Sequence, residues 1–400
     1  MLTQPAQAIA RPALIDHIRA AARNMQVSGI VEAMKHGFGR EGLIPLWAGE
    51  GDLPTPDFIC DAATRSLKAG ETFYTWQRGI PELRAALANY HAQYYGVAPN
   101  PERFYVVASG MQAIVMAFAL TLGEGDEVVI PTPCWPNAGA AADAAAARPV
   151  FVPMKLDEAG FALDLDCLAH AITPRTRVLF INTPGNPTGW TATREELRAI
   201  LMLARKHGLW IVADEVYHRF YYGDAPRAPS FHDVMEPDDR ILFVNTFSKN
   251  WAMTGWRIGW IEADPSLGQV IENLIQASTS GVAVFMQRAA VVALEQGESF
   301  VAHQIERARR GRDIVAKLKD TGRVRLVPPM GAFYQLLAIE GEPDSRALCF
   351  RLIDEANIGM APGTAFGPGA EAYLRLCFAR SAESLTHAVE RLTGWLDRSR

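Results

Sequence analysis

Seven short runs rich in Val, Ile and Phe recur through the middle of the chain, at 104–109, 127–133, 148–154, 178–184, 210–216, 241–248 and 256–263. They restrict the fold more than any other feature. Each is apolar at nearly every position rather than at alternate ones, the pattern of strands buried on both faces. Most are separated by helical patterns, at 111–122, 138–147 and 193–207 for example, the last opened by a Thr-x-x-Glu capping box at Thr193 and Glu196. Strand alternating with helix implies a mainly parallel sheet with right-handed crossovers. The final pair departs from this. Between Ser248 and Trp256 there is room for a loop but not for a crossover helix, so the last strand is expected to run antiparallel to its predecessor.

Beyond residue 297 the pattern changes to a long amphipathic helix near 298–320, followed by apolar segments at 324–327, 331–337 and 373–379. The sequence therefore predicts an α/β fold. A large domain over 49–297 holds a mainly parallel seven-stranded sheet with one antiparallel strand. A smaller α+β domain is made of 26–48 and 298–400, and residues 1–25 form an N-terminal arm. A length of 400 residues favours more than one domain in any case.

Several function classes are excluded early. The formal charge is -5, and neither sign gathers into a long block, so nothing points to nucleic acid or to an anionic membrane. The longest apolar stretch, 113–122, is too short to span a bilayer, and the N-terminus has no apolar signal-like region. The five cysteines, Cys60, Cys134, Cys167, Cys349 and Cys377, are odd in number and widely spaced in apolar surroundings. They read as reduced core residues rather than disulfides or metal ligands, which places the chain in the cytoplasm.

In an open α/β sheet, ligands bind outside the carboxyl ends of the parallel strands. Those ends here carry Ser109-Gly110, Cys134-Trp135, Asn182 through Pro187, Asp214-Glu215-Val216-Tyr217 and Ser248-Lys249, and Arg257 returns to the same edge at the start of the antiparallel strand. A lone Ser-Lys pair is an ordinary solvated strand end. Beside Arg257, however, Lys249 is expected to favour its neutral, nucleophilic amine, because like charges at short range disfavour protonation. An aromatic phosphate bearing an aldehyde would use every group at this edge. The backbone N–H groups of Gly110 and Met111, at a helix start, can hold a phosphate with Arg257 and the hydroxyls of Ser109, Thr246 and Ser248. Asp214, costly to bury unpaired, would find a partner in a pyridinium N–H. Trp135 offers a face for stacking, and Tyr217 and Asn186 can donate to a phenolate oxygen. Asn186-Pro187 is also a candidate cis peptide.

At this point the residues resemble a family, the class I/II aminotransferases among the fold-type I pyridoxal-phosphate enzymes. The resemblance covers nearly the whole chain. It runs from Gly49-Glu50-Gly51-Asp52 through Tyr74, Gly79-Ile80-Pro81-Glu82-Leu83-Arg84, Ser109-Gly110, Asn186-Pro187-Thr188-Gly189, Asp214-Glu215-Val216-Tyr217, the Lys249 segment and Gly331-Ala332-Phe333-Tyr334 to Arg375. It implies an aspartate-aminotransferase-like fold and pyridoxal 5'-phosphate as cofactor. It also implies a ping-pong exchange of an amino group between an L-amino acid and a 2-oxo acid through a Schiff base on Lys249. By the same resemblance Asp214 keeps the pyridine nitrogen protonated, Tyr217 and Asn186 bind the phenolate oxygen, and Trp135 stacks on the ring. Arg257, Ser109, Gly110, Met111, Thr246 and Ser248 surround the phosphate. Arg375 grips the substrate carboxylate with help from Gly49 and Asn186, and Tyr74 reaches the phosphate of the neighbouring site in a homodimer.

Thr246 and Met111 depart from many relatives. Thr246 stands where Ser or Gly is common and keeps the hydroxyl. Met111 stands where some relatives have a basic residue or threonine, and with Trp47 and Trp76 it tilts the substrate pocket toward neutral or apolar side chains. The run Gly37-Phe38-Gly39-Arg40-Glu41-Gly42 spells G-x-G-x-x-G, but it follows a helical pattern and precedes a strand, the reverse of a dinucleotide site. The same scaffold also supports a carbon–sulfur β-lyase. A non-catalytic ligand-sensing domain is the reading from another class, and it would need a DNA-binding module for which the arm has no room.

Overall fold

The computed structural model describes residues 13–398 apart from 24, 26 and 159, so part of the expected N-terminal arm lies outside the described residues. Its centre is a seven-stranded sheet built from β1 (Phe104–Val107), β2 (Glu127–Thr132), β3 (Arg148–Pro153), β4 (Thr176–Asn182), β5 (Trp210–Asp214), β6 (Ile241–Thr246) and β7 (Gly259–Glu262). Their spatial order is β1-β7-β6-β5-β4-β2-β3. All neighbours pair in parallel except β7, which runs antiparallel to both β1 and β6. This is the architecture expected from the spacing of the apolar runs. β1, β2, β6 and β7 are buried along their whole length, whereas β3, at the sheet edge, is not.

Helices close both faces of the sheet. Those used below are α1 (Gly29–Gly37), α2 (Pro81–Tyr95), α3 (Gly110–Thr121), α4 (Asn137–Ala144), α5 (Arg194–His207), α6 (Glu298–Ala316), α7 (Ser345–Ala356) and α8 (Ala382–Arg398). The capping box at α5 forms in both directions, with Glu196 N donating to Thr193 Oγ1 at 3.1 Å and Thr193 N to Glu196 Oε2 at 2.7 Å. Helix α2 is not evident from the sequence pattern. It buries Leu83, Ala86, Leu87, Tyr90 and His91 on one face at i, i+3, i+4, i+7 and i+8, but that face is built largely from alanine, tyrosine and histidine, so its apolar signal in the sequence is weak.

A second, antiparallel sheet follows, made of β8 (Val324–Val327), β9 (Tyr334–Ile339), β10 (Ala361–Pro362) and β11 (Leu374–Cys377) in the order β8-β9-β11-β10. Helix α1 packs on α7, and Ile44–Pro45 pairs in parallel with Ile358–Gly359. Two strands start later than the sequence suggests. β7 begins at Gly259 because Thr254–Trp256 form a 3-10 turn and Arg257 takes a left-handed φ of 54°. β9 begins at Tyr334 because Ala332, at φ 57°, breaks the extended backbone first. The G-x-G-x-x-G run is a helix stop, with Gly39 and Gly42 at φ 75° and 69° after the end of α1.

At the end of β7 far from Gly259, the buried Glu262 carboxylate gathers three cationic or ionisable partners. Arg103 Nε lies 2.9 Å away, His91 Nδ1 2.9 Å and His232 Nε2 3.0 Å. His232 and His91 hold Glu262 well below the usual carboxylate range despite its burial.

Candidate active site

The carboxyl ends of the parallel strands open into one cavity of about 370 Å³, closed on its other side by α1, β9 and β11. Twelve of the fourteen residues singled out from the sequence line it, including Lys249, Asp214, Tyr217, Asn186, Arg257 and Arg375. Ser109 lies just behind the wall as the cap of α3, and Tyr74 lies elsewhere.

The segment after β6 places Lys249 inside the cavity. Its Nζ donates to the carbonyl of Gly49 at 2.7 Å. Removal from water pulls the amine down to about 8. The cause therefore differs from the expected one. Burial acts first, and the guanidinium that lowers the amine further is Arg375, while Cys377, Glu50 and Asp214 act in the opposite direction.

Asp214 ends β5 and is buried, with one long hydrogen bond from Val216 N at 3.4 Å. Burial pushes its carboxyl up to about 7, opposed by that N–H and by the Lys249 charge. Such a group is stabilised by a cationic N–H bonded to it, and among the described residues its one hydrogen bond comes from the neutral Val216 N–H. Asn182, at the end of β4, donates to the Asp214 carbonyl at 3.1 Å and accepts from Asn186 N at 2.8 Å, fixing the loop between them. Asn186-Pro187 is cis, as are Thr132-Pro133 and Thr183-Pro184.

The start of α3 is strained in a way that favours an anion. Ser109 holds φ 96° and ψ 158°, a region nearly restricted to glycine, while its hydroxyl accepts from Gln112 N at 3.3 Å. That turn aims the first N–H groups of the helix, with their positive dipole end, at the cavity. A Cβ on Gly259 would come within 3.0 Å of Gly110 N and 2.7 Å of the Asn245 carbonyl, so a bare glycine lets β7 pass close beneath the helix start. The hydroxyls of Thr246 and Ser248 lie 2.9 Å apart alongside, and Arg257, at a left-handed φ of 54°, lines the same cavity, its Nη1 donating to the Thr254 carbonyl at 2.6 Å. Donors, hydroxyls and a cation thus converge where a phosphate would sit.

On the opposite wall Arg375 projects from β11. It is only 2% exposed, donates from Nη1 to Asn186 Oδ1 at 3.1 Å and from Nη2 to the Trp47 carbonyl, and leaves Nε without a partner. Its guanidinium carbon sits 4.7 Å from the centre of the Tyr334 ring and 4.9 Å from that of Phe366. Among the described residues no carboxylate pairs with it, an unusual state for a buried guanidinium and a suitable one for receiving a carboxylate ligand.

Tyr334 belongs to the site and was not singled out as a site residue. Its hydroxyl lies 2.7 Å from that of Tyr217, and a Cβ on Gly49 would strike it at 2.6 Å. The segment 331–334 drew notice only as part of the family resemblance. Ile30 and Met34 were also missed, although their i, i+4 spacing on α1 is the signal that both face the cavity. Trp76, by contrast, does not reach the pocket. With Phe73 and Tyr74 it stands on a loop beside Arg288, the three side chains being 67%, 84% and 94% exposed.

Residues 41–392 match the family described as aminotransferase class I and II. An aspartate aminotransferase of Pyrococcus horikoshii is 36% identical, over 91% of this chain and 93% of its own. An aromatic-amino-acid aminotransferase of Thermococcus litoralis is 35% identical, over 88% and 92%. Among solved structures, Thermus thermophilus aspartate aminotransferase with maleate superimposes with a TM-score of 0.87 at 34% identity, covering 94% of this chain and 99% of that one.

Proposed function

The chain belongs to the class I and II aminotransferase family and is an aminotransferase, and on that premise we propose that it carries pyridoxal 5'-phosphate in the cavity above the sheet, tethered at Lys249. The observation that carries this reading is the presence of a buried amine near pKa 8 and a buried, underpaired carboxylate, Asp214, in one cavity with a phosphate-sized cluster of donors.

When bound, the cofactor supplies an aldehyde for amine exchange and a ring that accepts the electron pair left on the substrate Cα. Asp214 holds a proton on the ring nitrogen. Tyr217 Oη and the Asn186 amide donate to the phenolate oxygen, the latter free to do so because Arg375 occupies only its Oδ1. Gly110, Met111, Thr246, Ser248 and Arg257 would hold the phosphate, with Ser109 capping the helix start behind them, and Trp135 would cover one ring face. Arg375 binds the substrate carboxylate against the Gly49 backbone. Lys249 Nζ, as a neutral amine, would take the proton from the substrate Cα and pass it to the cofactor's aldehyde-derived carbon, and would move a proton the opposite way in the second half of a ping-pong exchange between an L-amino acid and a 2-oxo acid.

The proposed working unit is a homodimer in which Tyr74 reaches the neighbouring phosphate. Adjacent exposed aromatic residues at Phe73, Tyr74 and Trp76 support this, since such a patch favours a partner surface. The division into 49–297 and 26–48 with 298–400 is supported by the packing of α1 on α7 and the pairing of Ile44–Pro45 with Ile358–Gly359. A cytoplasmic location is supported by five unpaired cysteines. Among the described residues no helix is long and apolar enough to cross a membrane.

The test is chemical. Protein loaded with pyridoxal 5'-phosphate and reduced with borohydride is digested and its peptides weighed. The cofactor mass is expected on the peptide that contains Lys249. A different lysine, or none, overturns the assignment.

A further inference from the structure

We propose that the substrate side-chain pocket selects uncharged, apolar amino acids over acidic ones, and that the selection is made by two helical pairs, Ile30 with Met34 and Met111 with Ile114. This rests on the aminotransferase reading and deepens it.

The cationic side chains lining the cavity are Lys249, Arg257 and Arg375. Each has an assigned partner, namely the cofactor carbonyl, the phosphate and the substrate carboxylate. A second carboxylate, on an acidic side chain, would find no further cation among the described residues of its own subunit. It would meet Glu50 instead, whose carboxylate accepts from the Thr254 hydroxyl at 2.8 Å and also lines the cavity. An unpaired carboxylate next to a like charge, away from water, is strongly disfavoured.

Shape agrees with charge. Ile30 and Met34 stand one helical turn apart on α1, and Met111 and Ile114 one turn apart on α3. All four line the same cavity. Trp47 also lines the cavity, and its ring is tightly packed. A Cβ on Gly37 would come within 2.6 Å of its ring, and one on Gly359 within 2.0 Å. The apolar wall is therefore rigid at Trp47 and adaptable at its two methionines, whose unbranched side chains fit varied apolar shapes. Met34 is 41% exposed, so it stands at the mouth, where it can be changed without opening the core.

The experiment uses the holoenzyme with a fixed oxo-acid acceptor and leucine, methionine, phenylalanine, aspartate and glutamate as donors. Apolar donors are expected to show at least about a tenfold higher kcat/KM than the acidic ones. Met34→Lys, which puts a cation at the mouth, is expected to lower the leucine-to-aspartate ratio at least about tenfold, with Met34→Gln shifting it less. A binding readout independent of turnover is tryptophan fluorescence with unreactive acids: 4-methylpentanoate should bind more tightly than succinate. The proposal is overturned if aspartate or glutamate equals or exceeds the apolar donors, or if folded Met34→Lys keeps the wild-type ratio. Absence of exchange with every donor would be a failure of the aminotransferase reading, a result easily told from a reversed preference.

Discussion

The hydroxyls of Tyr217 and Tyr334 lie 2.7 Å apart, and the Tyr334 ring carries the Arg375 guanidinium on its face at 4.7 Å. One side chain thus links the hydroxyl proposed to face the cofactor oxygen to the guanidinium proposed to receive the substrate carboxylate. Each phenol has a single proton. If Tyr217 donates into the cavity, Tyr334 must donate to Tyr217.

Tyr334→Phe removes that donor while keeping the ring under Arg375. Loss of one buried hydrogen bond is worth about 1 kcal/mol, so kcat/KM is expected to fall roughly five- to tenfold. The pH at which the bound cofactor's visible band changes should move as well. A variant that titrates like the wild type would show the tyrosine pair to be packing alone.

Lys249→Ala should fold and still take up the cofactor through the phosphate and Asp214 contacts. Its turnover is expected to drop by about 100-fold to 10,000-fold, the range for loss of a positioned acid–base group. Single-turnover kinetics, with equilibrium dialysis of the cofactor, measure the two effects separately.

Arg375→Lys keeps the charge but cannot make two parallel hydrogen bonds to a carboxylate. KM for every amino donor is expected to rise about 100-fold, corresponding to roughly 2.7 kcal/mol, with kcat falling less. Initial-rate measurements over a wide donor range decide it, and an unchanged KM would place the carboxylate elsewhere.

The two buried titrating groups give the cofactor-free protein opposite pH dependences. Asp214, raised from 3.8 to about 7, contributes stability that is fully present below pH 3.8 and lost as pH rises through 7. Lys249, lowered from 10.5 to about 8, contributes stability that is present above pH 10.5 and lost as pH falls through 8. Denaturant midpoints of wild type relative to Asp214→Asn should therefore decline between pH 4 and 7. Those of wild type relative to Lys249→Met should climb between pH 8 and 10.

Glu262→Gln tests the cluster at the opposite end of β7. Neutralising the carboxylate leaves Arg103 without its buried counter-charge, and breaking such a pair costs about 3 kcal/mol. A lower denaturant midpoint is expected, with kcat at permissive temperature little altered, because the cluster lies a strand's length from the cavity. A loss of kcat without a loss of stability would contradict this.

Much of the fold and of the site was legible in the residues alone. Seven apolar runs with helical spacers, and the missing crossover between Ser248 and Trp256, dictated a parallel sheet with one reversed strand, because backbone pairing and strand burial leave few alternatives. The position of Lys249, Asp214, Asn186 and Ser109 at strand ends followed from the same rule. What the chain order could not disclose were relationships across long separations. Tyr334 meets Tyr217 across 117 positions and Arg375 meets Asn186 across 189, and neither pairing has a local signature. The state of Lys249 was decided in the same way. Its amine is lowered chiefly by enclosure beneath Gly49 and by Arg375, not by its near neighbour Arg257, because desolvation depends on what the folded chain packs around a charge rather than on what stands beside it in sequence.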